Sequence, residues 1–186
     1  MKESLQKKVT KEFFNEVAAE WFERTYDPKK EFFKYPVNGA RKDVAIAEIK
    51  ALKKKGTIFD LGRGTGQMVI ELRKSGYDAV GIDVAERMIG EAKKTARSLR
   101  LRGNPDNFFA VGDCLNLSSE KQYDLVTGLG LLEYLEGDSD LFTNLARVVR
   151  PGGYALIECR NKLFNLFSGN QYTVEEGNRG TLATLV

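Results

Sequence analysis

Residues 57–72, TIFDLGRGTGQMVIEL, contain the pattern that decides the fold. Thr57–Leu61 is short and nearly all apolar, which is typical of a parallel strand covered on both faces. Gly62, Gly64 and Gly66 follow, and the next residues repeat apolar side chains at helical spacing. Glycine permits positive φ and lets a ligand approach the main chain, while a helix N-terminus offers free N–H groups to an anion. The stretch therefore predicts a strand, a ligand-binding turn and a helix in that order.

The spacing of the three glycines bears on which ligand the turn holds. Gly62, Gly64 and Gly66 form the pattern GxGxG, and Gln67 comes next. The fingerprint of dinucleotide-binding proteins is GxGxxG, so the spacing disfavours a nicotinamide cofactor. An ordinary tight turn with no ligand is the alternative interpretation of the trio taken alone.

The alternation of short apolar runs and helical segments continues along the chain. Further strands are expected at Ala79–Ile82, Phe108–Val111, Leu125–Thr127 and Tyr154–Glu158, with helices between them. Upstream, an amphipathic helix is expected from about Thr10 to Arg24, its aromatic stripe serving packing, and a second helix up to Leu52. This order predicts an α/β fold with a mainly parallel sheet and helices on both faces. We expect one domain over residues 1–186, consisting of a helical cap (1–56), a core (57–160) and a C-terminal part (161–186).

Three aspartates follow predicted strands. Asp60 lies at the end of the first strand, Asp83 ends the second, and Asp113 comes just after the third. Ligands of open α/β sheets bind beyond the carboxyl ends of the strands, so these acids are expected to face one crevice. An acid in the position of Asp83 can accept hydrogen bonds from ribose hydroxyls. The alternatives are a helix cap near Ala85 for Asp83 and a plain turn residue for Asp113.

Five blocks of sequence together resemble a known family over roughly residues 57–160. In chain order they are FDLGRGTGQ, VGIDVAERMI, VGDC, YDLVTGLGLLEYL and LARVVRPGGY. This ordered set resembles the motifs of the class I S-adenosylmethionine-dependent methyltransferases. The resemblance implies a Rossmann-like, doubly wound sheet, S-adenosylmethionine as cofactor, and transfer of its methyl group to an acceptor.

The resemblance also assigns residues to the methionine half of the cofactor. It implies that Gly62, Gly64 and Gly66 line this half, with Asp60 supporting the loop and the cofactor's amino group. Gly128 is expected to lie under the sulfonium. Tyr26 is the candidate for an N-terminal aromatic residue that closes over the cofactor, and core packing is its alternative role.

The adenosine half is assigned in the same way to the ends of the second and third strands. Asp83 is implied to hold the ribose. Val84 and Met88 are expected to flank the adenine, Asp113 to accept from its exocyclic amine, and the Cys114 backbone to contact the ring.

The chain departs from the family in two respects. Some relatives use a histidine after the fourth strand as a base, but this chain has no histidine and has Glu133 and Tyr134 there. No catalytic residue is therefore assigned. Class I enzymes also finish with a further helix and an antiparallel strand pair, for which the residues after Cys159 leave little room. The chain is then a fragment of a longer enzyme, or the C-terminal residues or a second subunit cover the edge of the fifth strand.

The composition of the chain narrows its expected cellular location and its expected classes of binding partner. The 29 basic and 26 acidic residues are interspersed, which argues against a nucleic-acid footprint. The chain has a polar start, no apolar run of membrane-spanning length and two cysteines without metal-ligand spacing, so a cytoplasmic protein with no metal site is expected. A small-molecule acceptor is preferred because no segment for recognising a macromolecule is visible. The competing hypotheses are a non-catalytic cofactor-binding module and a nicotinamide-dependent oxidoreductase.

Overall fold

The computed structural model describes residues 4–26, 37–117, 121–137 and 139–159. Within these ranges lie a parallel sheet, the α-helices that cover it and two short 3-10 helices, Pro105–Asn107 and Leu132–Tyr134. The strands are β1 (Thr57–Leu61), β2 (Asp78–Asp83), β3 (Phe109–Val111), β4 (Tyr123–Gly128) and β5 (Val149–Ile157). The helices are α1 (Leu5–Tyr26), α2 (Val37–Leu52), α3 (Gln67–Lys74), α4 (Glu86–Ser98) and α5 (Ser139–Val148).

The five strands form one sheet in the order β3-β2-β1-β4-β5, and every pair is parallel. Asp60 is the partner of Gly81 on one side and of Thr127 on the other. The order reverses between β1 and β4, which is where doubly wound sheets bind ligands. The register therefore brings the carboxyl ends of β1, β2 and β4 to one crevice.

Helices cover both faces of the sheet, as predicted. Side chains of β1 alternate between two apolar clusters, with Ile58 in one and Phe59 in the other. The first cluster contains buried residues of α2, α3 and α4, and the second contains Leu141 and Leu145 of α5. The alternation of a strand with period 2 accounts for this division. The Rossmann-like α/β fold is thus confirmed.

The fifth strand differs from its prediction. The sequence predicts that Pro151 and Gly152 separate a helix from a strand beginning at Tyr154, but β5 begins at Val149 directly after α5. The pairing of β4 with β5 shifts register between Tyr123 and Leu125, and Gly152 has a φ of 74°. A glycine with positive φ allows the strand to bulge around the proline, so the pairing continues on both sides.

Two large apolar residues in or next to α5 and α4 are not in the core. Phe142 is 46% exposed, while its neighbours Leu141 and Leu145 are buried. Leu99 follows the last residue of α4 and is 45% exposed. The residues after Cys159, in which the family's further helix and strand pair were considered, lie outside the described residues. No helix in the described ranges has the length and apolar character needed to cross a membrane.

The amino ends of the strands are joined by one buried carboxylate. Asp124 of β4 accepts hydrogen bonds from the Thr57 backbone N–H at 2.8 Å and from its hydroxyl at 3.0 Å. It also pairs with Lys53, just after α2, and with Arg150 Nη1 of β5 at 2.9 Å. These partners hold the pKa of Asp124 at about 2, below its ordinary 3.8, with the Lys53 hydrogen bond as the largest cause. Asp124 thereby connects α2, β1, β4 and β5 at the edge opposite the crevice.

Candidate functional site

A cavity of about 450 Å³ opens at the carboxyl edge of the sheet. The size lies in the range of small-molecule sites. Its walls include most of the residues that the sequence assigned to a cofactor, namely Asp60, Gly62, Gly64, Asp83, Val84, Asp113 and Cys114. The other walls come from α1, α2, the segment after β4, Arg63 in the glycine turn, Met68 of α3, and Gly112 and Leu115 beyond β3.

The glycine turn has the backbone conformation that its sequence predicts. The φ angles are 62° at Gly62, 55° at Gly64 and 83° at Gly66. A side chain on Gly62 would meet Leu131, since its Cβ would lie 2.7 Å from Leu131 Cδ1. Gly66 comes immediately before α3 and packs toward Phe109, so it shapes the turn from behind and is not part of the cavity wall. The turn therefore needs glycine both for its φ angles and for the room above it.

Asp83 ties the glycine turn to the start of α4. One carboxylate oxygen accepts from Gly64 N–H at 2.8 Å, and the other accepts from Ala85 N–H at 2.9 Å. The alternative interpretation of Asp83 as a cap is thus realised in part, because its carboxylate binds the backbone just ahead of the helix. Burial raises the pKa of Asp83, and the two backbone hydrogen bonds and nearby Arg63 oppose the rise.

Asp60 lies at the floor of the cavity and is only 3% exposed. Its Oδ1 accepts a hydrogen bond from the Thr127 hydroxyl at 2.6 Å. Burial raises the pKa of this carboxyl to about 6 against the effects of Thr127 and Arg63. Asp60 can therefore change charge close to neutral pH.

Asp113 is covered by the N-terminal helix. Its carboxylate pairs with Lys7 of α1 at 2.7 Å and accepts from Leu115 N–H at 2.9 Å. The hydrogen bond from Leu115 N–H corresponds to the alternative role of Asp113 as a turn residue, which the sequence left open. Lys7 was not among the predicted residues, because a contact across 106 positions leaves no local signal.

Aromatic residues of α1 also reach the cavity. Phe14 and Trp21 line it together with Tyr134, and Phe14 makes edge contacts to Trp21 at 5.3 Å and to Tyr134 at 5.1 Å between ring centroids. The sequence predicted that the aromatic stripe of α1 serves packing, so for these two residues the cavity contact was missed. Tyr26 is the last residue of α1, and its side chain lies outside the described part of the structure.

The sequence analysis also missed an arginine that lines the cavity near the carboxyl end of β4. Arg41 of α2 lies with its Nε 3.0 Å from Glu158 Oε2, and the same oxygen accepts from Gly130 N–H at 2.8 Å. Arg41 and Gly130 line the cavity together with Glu133. The cavity thus has acids at its floor and a cation near the β4 end.

Met88 and Gly128 are not brought to the cavity wall. Met88 is fully buried in a cluster with Ala18 and Ala85, where α1 packs on α4. Gly128 ends β4 beneath Leu131, since a Cβ at Gly128 would lie 3.3 Å from Leu131 Cδ2. The motif spacing correctly placed Gly128 at the end of a strand and Met88 on a helix. It could not show that α1 covers the face of α4 that bears Met88.

The two cysteines differ in a way that chemical labelling can test. Cys114 is 6% exposed, and burial raises the pKa of its thiol to about 12, whereas Cys159 is exposed. Because the thiolate is the reactive form, iodoacetamide at pH 8 is expected to modify Cys159 and to spare Cys114 in the folded protein. Peptide mass mapping gives the result, and urea-unfolded protein, in which both residues react, is the control. Equal labelling of the two cysteines in folded protein would contradict this environment for Cys114.

This sheet order, glycine turn and set of strand-end acids are those of a Rossmann-like cofactor-binding domain. A family model described as a methyltransferase domain matches residues 58–153, just over half of the 186 residues. The chain therefore belongs to the methyltransferase-domain family. The cofactor is S-adenosylmethionine, and the nicotinamide-dependent alternative is set aside.

Similar proteins include longer methyltransferases. The chain is 28% identical over 176 residues to a ubiquinone biosynthesis O-methyltransferase of Bordetella avium, covering 90% of this chain and 69% of that protein. The corresponding protein of Dechloromonas aromatica is 29% identical over 174 residues, and the match covers 90% of this chain and 71% of that protein. In the Hydrogenovibrio crunogenus relative, which is 26% identical, the match covers 83% of this chain and 61% of that protein.

Solved structures give the same class. The magnesium protoporphyrin IX methyltransferase of Synechocystis with bound S-adenosylhomocysteine is 25% identical, with a TM-score of 0.66. The superposition covers 77% of this chain and 68% of that one.

Proposed function

We propose that this methyltransferase acts in the cytoplasm on a small hydroxylated molecule. The observation that carries the proposal is a cavity of about 450 Å³ whose walls include the glycine turn and its acids together with aromatic residues and Arg41. The curated relatives named above are O-methyltransferases, which supports an oxygen as the methyl acceptor. The free state of Cys114 and Cys159 supports a reducing compartment.

The residues at the floor fit the polar parts of S-adenosylmethionine. We infer that Asp60 receives the cofactor's ammonium and that Asp83 receives the ribose hydroxyls, because both carboxylates are held in place by hydrogen bonds and line the cavity. The positive φ at Gly62 and Gly64 brings bare backbone to the same wall. Arg41 supplies a cation for the cofactor's carboxylate at the β4 end.

The other end of the floor fits the adenine. Val84 and Cys114 offer wall on either side of this end, and Asp113 offers an acceptor for the exocyclic amine. Asp113 also pairs with Lys7 and accepts from Leu115 N–H, and its two carboxylate oxygens retain lone pairs for a further donor.

The main contribution of this chain to methyl transfer is to position the cofactor and the acceptor. When bound, S-adenosylmethionine supplies an activated methyl group that an acceptor oxygen can attack in line. Holding both reactants in that geometry accounts for much of the rate in such displacements. Phe14, Trp21 and Tyr134 offer an apolar and aromatic wall against which an organic acceptor can lie.

A labelled-methyl assay tests the acceptor class. Purified protein is incubated with tritiated-methyl S-adenosylmethionine and either a deproteinised extract with added hydroxylated aromatic compounds, or a fraction of protein and nucleic acid. We expect label in the small-molecule product with about tenfold or greater excess over the precipitable fraction. Label in precipitable material alone would assign a macromolecular acceptor. Cofactor binding without transfer to either fraction would indicate the non-catalytic binding module.

A further inference from the structure

Arg63, between the first two glycines of the turn, is buried without a hydrogen-bond partner. The residue is 7% exposed, and its Nε, Nη1 and Nη2 are all buried and unpaired within the described part of the chain. Its guanidinium stacks on the Phe109 ring at 4.0 Å from the centroid. A buried cation is costly unless other charges compensate it, so its surroundings need an explanation.

Arg63 is among the residues that line the cavity, and its side chain packs toward Gly66 and over Gly81 of β2, next to the strands that bear the two acids. Arg63 N–H donates to the carbonyl of Ile82, the residue before Asp83, at 3.4 Å. The Arg63 side chain occupies the space that a side chain on Gly81 would need, and Gly81 is the strand partner of Asp60. The Arg63 side chain therefore lies over the paired strands β1 and β2 near both acids, without forming an ion pair with either.

We propose that Arg63 is a positioning residue whose buried cation keeps Asp60 and Asp83 negatively charged and ready to receive the cofactor. This inference rests on the proposed roles of those two acids. Arg63 contributes to the cavity wall, but its guanidinium nitrogens are buried, and we assign them no contact with the cofactor. Its unpaired donors and its place behind the turn fit a counter-charge, which acts over a distance in a low-dielectric interior.

The titration behaviour of the site agrees with this geometry. Burial lowers the pKa of Arg63 only to about 10, so it stays protonated at neutral pH, and both acids oppose the decrease. Arg63 in turn opposes the rise in the pKa of Asp60 and of Asp83 that burial causes. The other charged or titratable groups that line the cavity or its mouth are Lys7, Arg41, Lys42, Asp113, Cys114, Glu133, Tyr134 and Glu136, with Glu158 behind Arg41. These groups are unchanged in the variants below.

The direct test is a carbon-13 NMR titration of the Asp60 and Asp83 side-chain carboxyls in the cofactor-free protein. Arg63→Met keeps an unbranched apolar stem but removes the guanidinium and its charge, and it is expected to raise the pKa of Asp60 by roughly one unit. Arg63→Lys keeps the charge and should leave this pKa near the wild-type value. Should Arg63→Met fail to fold, Arg63→Gln removes the same charge and keeps a polar end.

The matched control is Arg73, which stacks in the same way on the neighbouring Phe108 at 3.6 Å. Arg73 differs in that it donates to the Ala79 carbonyl and to Asp78, and it does not line the cavity. Arg73→Met is therefore expected to leave the titration of Asp60 unchanged. The comparison separates the effect of losing a stacked guanidinium from the effect of losing the positive charge near Asp60 and Asp83.

Calorimetric titration with S-adenosylhomocysteine from pH 5.5 to 8.5 gives the functional readout. Wild-type affinity should rise through pH 6 as Asp60 ionises, and in Arg63→Met this midpoint should move up by about one unit, with affinity reduced by about twofold at pH 7 and by nearly tenfold at about pH 5.5. Unchanged carboxyl titrations in Arg63→Met and Arg63→Gln would overturn the role of Arg63. If the carboxyl titrations shift in the Arg63 variants but the wild-type protein binds no S-adenosylhomocysteine, the proposed function is overturned. The role of Arg63 as a counter-charge to Asp60 and Asp83 then still stands.

Discussion

Asp83→Ala is expected to weaken the binding of S-adenosylhomocysteine by about 100-fold. The substitution removes the carboxylate that we assign to the ribose, and it releases the Gly64 and Ala85 backbone groups that this carboxylate holds. Hydrogen bonds to a charged group are worth about 1.5–3 kcal/mol each, and about 1.4 kcal/mol corresponds to a factor of ten in affinity. Calorimetric titration at pH 7.5 measures the loss.

The other end of the same strand provides the control. Asp78 begins β2, is exposed and pairs with Arg73, so Asp78→Ala should bind S-adenosylhomocysteine as the wild type does. Asp83→Asn, which keeps one acceptor oxygen, should fall between the two. Wild-type affinity in Asp83→Ala protein with a native circular dichroism spectrum would remove Asp83 from the cofactor site.

The second large effect concerns stability. Asp124→Asn is expected to lower the free energy of unfolding by about 2 kcal/mol at pH 7, because it breaks a carboxylate bound to the Thr57 backbone and to two cations. The estimate is kept modest because Lys53 and Arg150 are partly exposed. Urea unfolding followed by circular dichroism provides the measurement.

The pH dependence of this difference has a definite sign. The pKa of Asp124 is about 2 in the folded protein against an ordinary 3.8, so its stabilisation is complete above about pH 4 and is lost as the pH falls toward 2. The gap between wild type and Asp124→Asn should close over that window. Asp106→Asn is the control, since Asp106 also pairs with two cations but lies at the surface. A gap that stays constant down to pH 2 would show that Asp124 is not ionised in these contacts.

The sequence was sufficient for the central part of the fold because its signals there are local. The glycine turn needs positive φ angles, and strand, turn and helix follow one another without interruption around Gly62 and Gly64. The strand-end acids could be predicted to share one edge because parallel strands present their carboxyl ends together. The start of β5 was misplaced because Pro151 and Gly152 normally end an element, whereas here they lie in a bulge.

Contacts between distant segments could not be predicted in the same way. Periodicity gave the buried face of α1 but not its partner, so the places of Phe14 and Trp21 at the cavity were missed. The same reason applies to Lys7 at Asp113. Arg63 did leave a signal, because a long charged side chain between two glycines of a tight turn has to be accommodated somewhere.

The measurement that tests the account most directly is calorimetric titration of the wild-type chain with S-adenosylhomocysteine, with NAD as the comparison ligand. The account predicts one site per chain with a dissociation constant in the micromolar range, about −8 kcal/mol, and no heat with NAD. Binding of NAD without binding of S-adenosylhomocysteine, or no binding of either by folded protein, would contradict the cofactor site described for this chain.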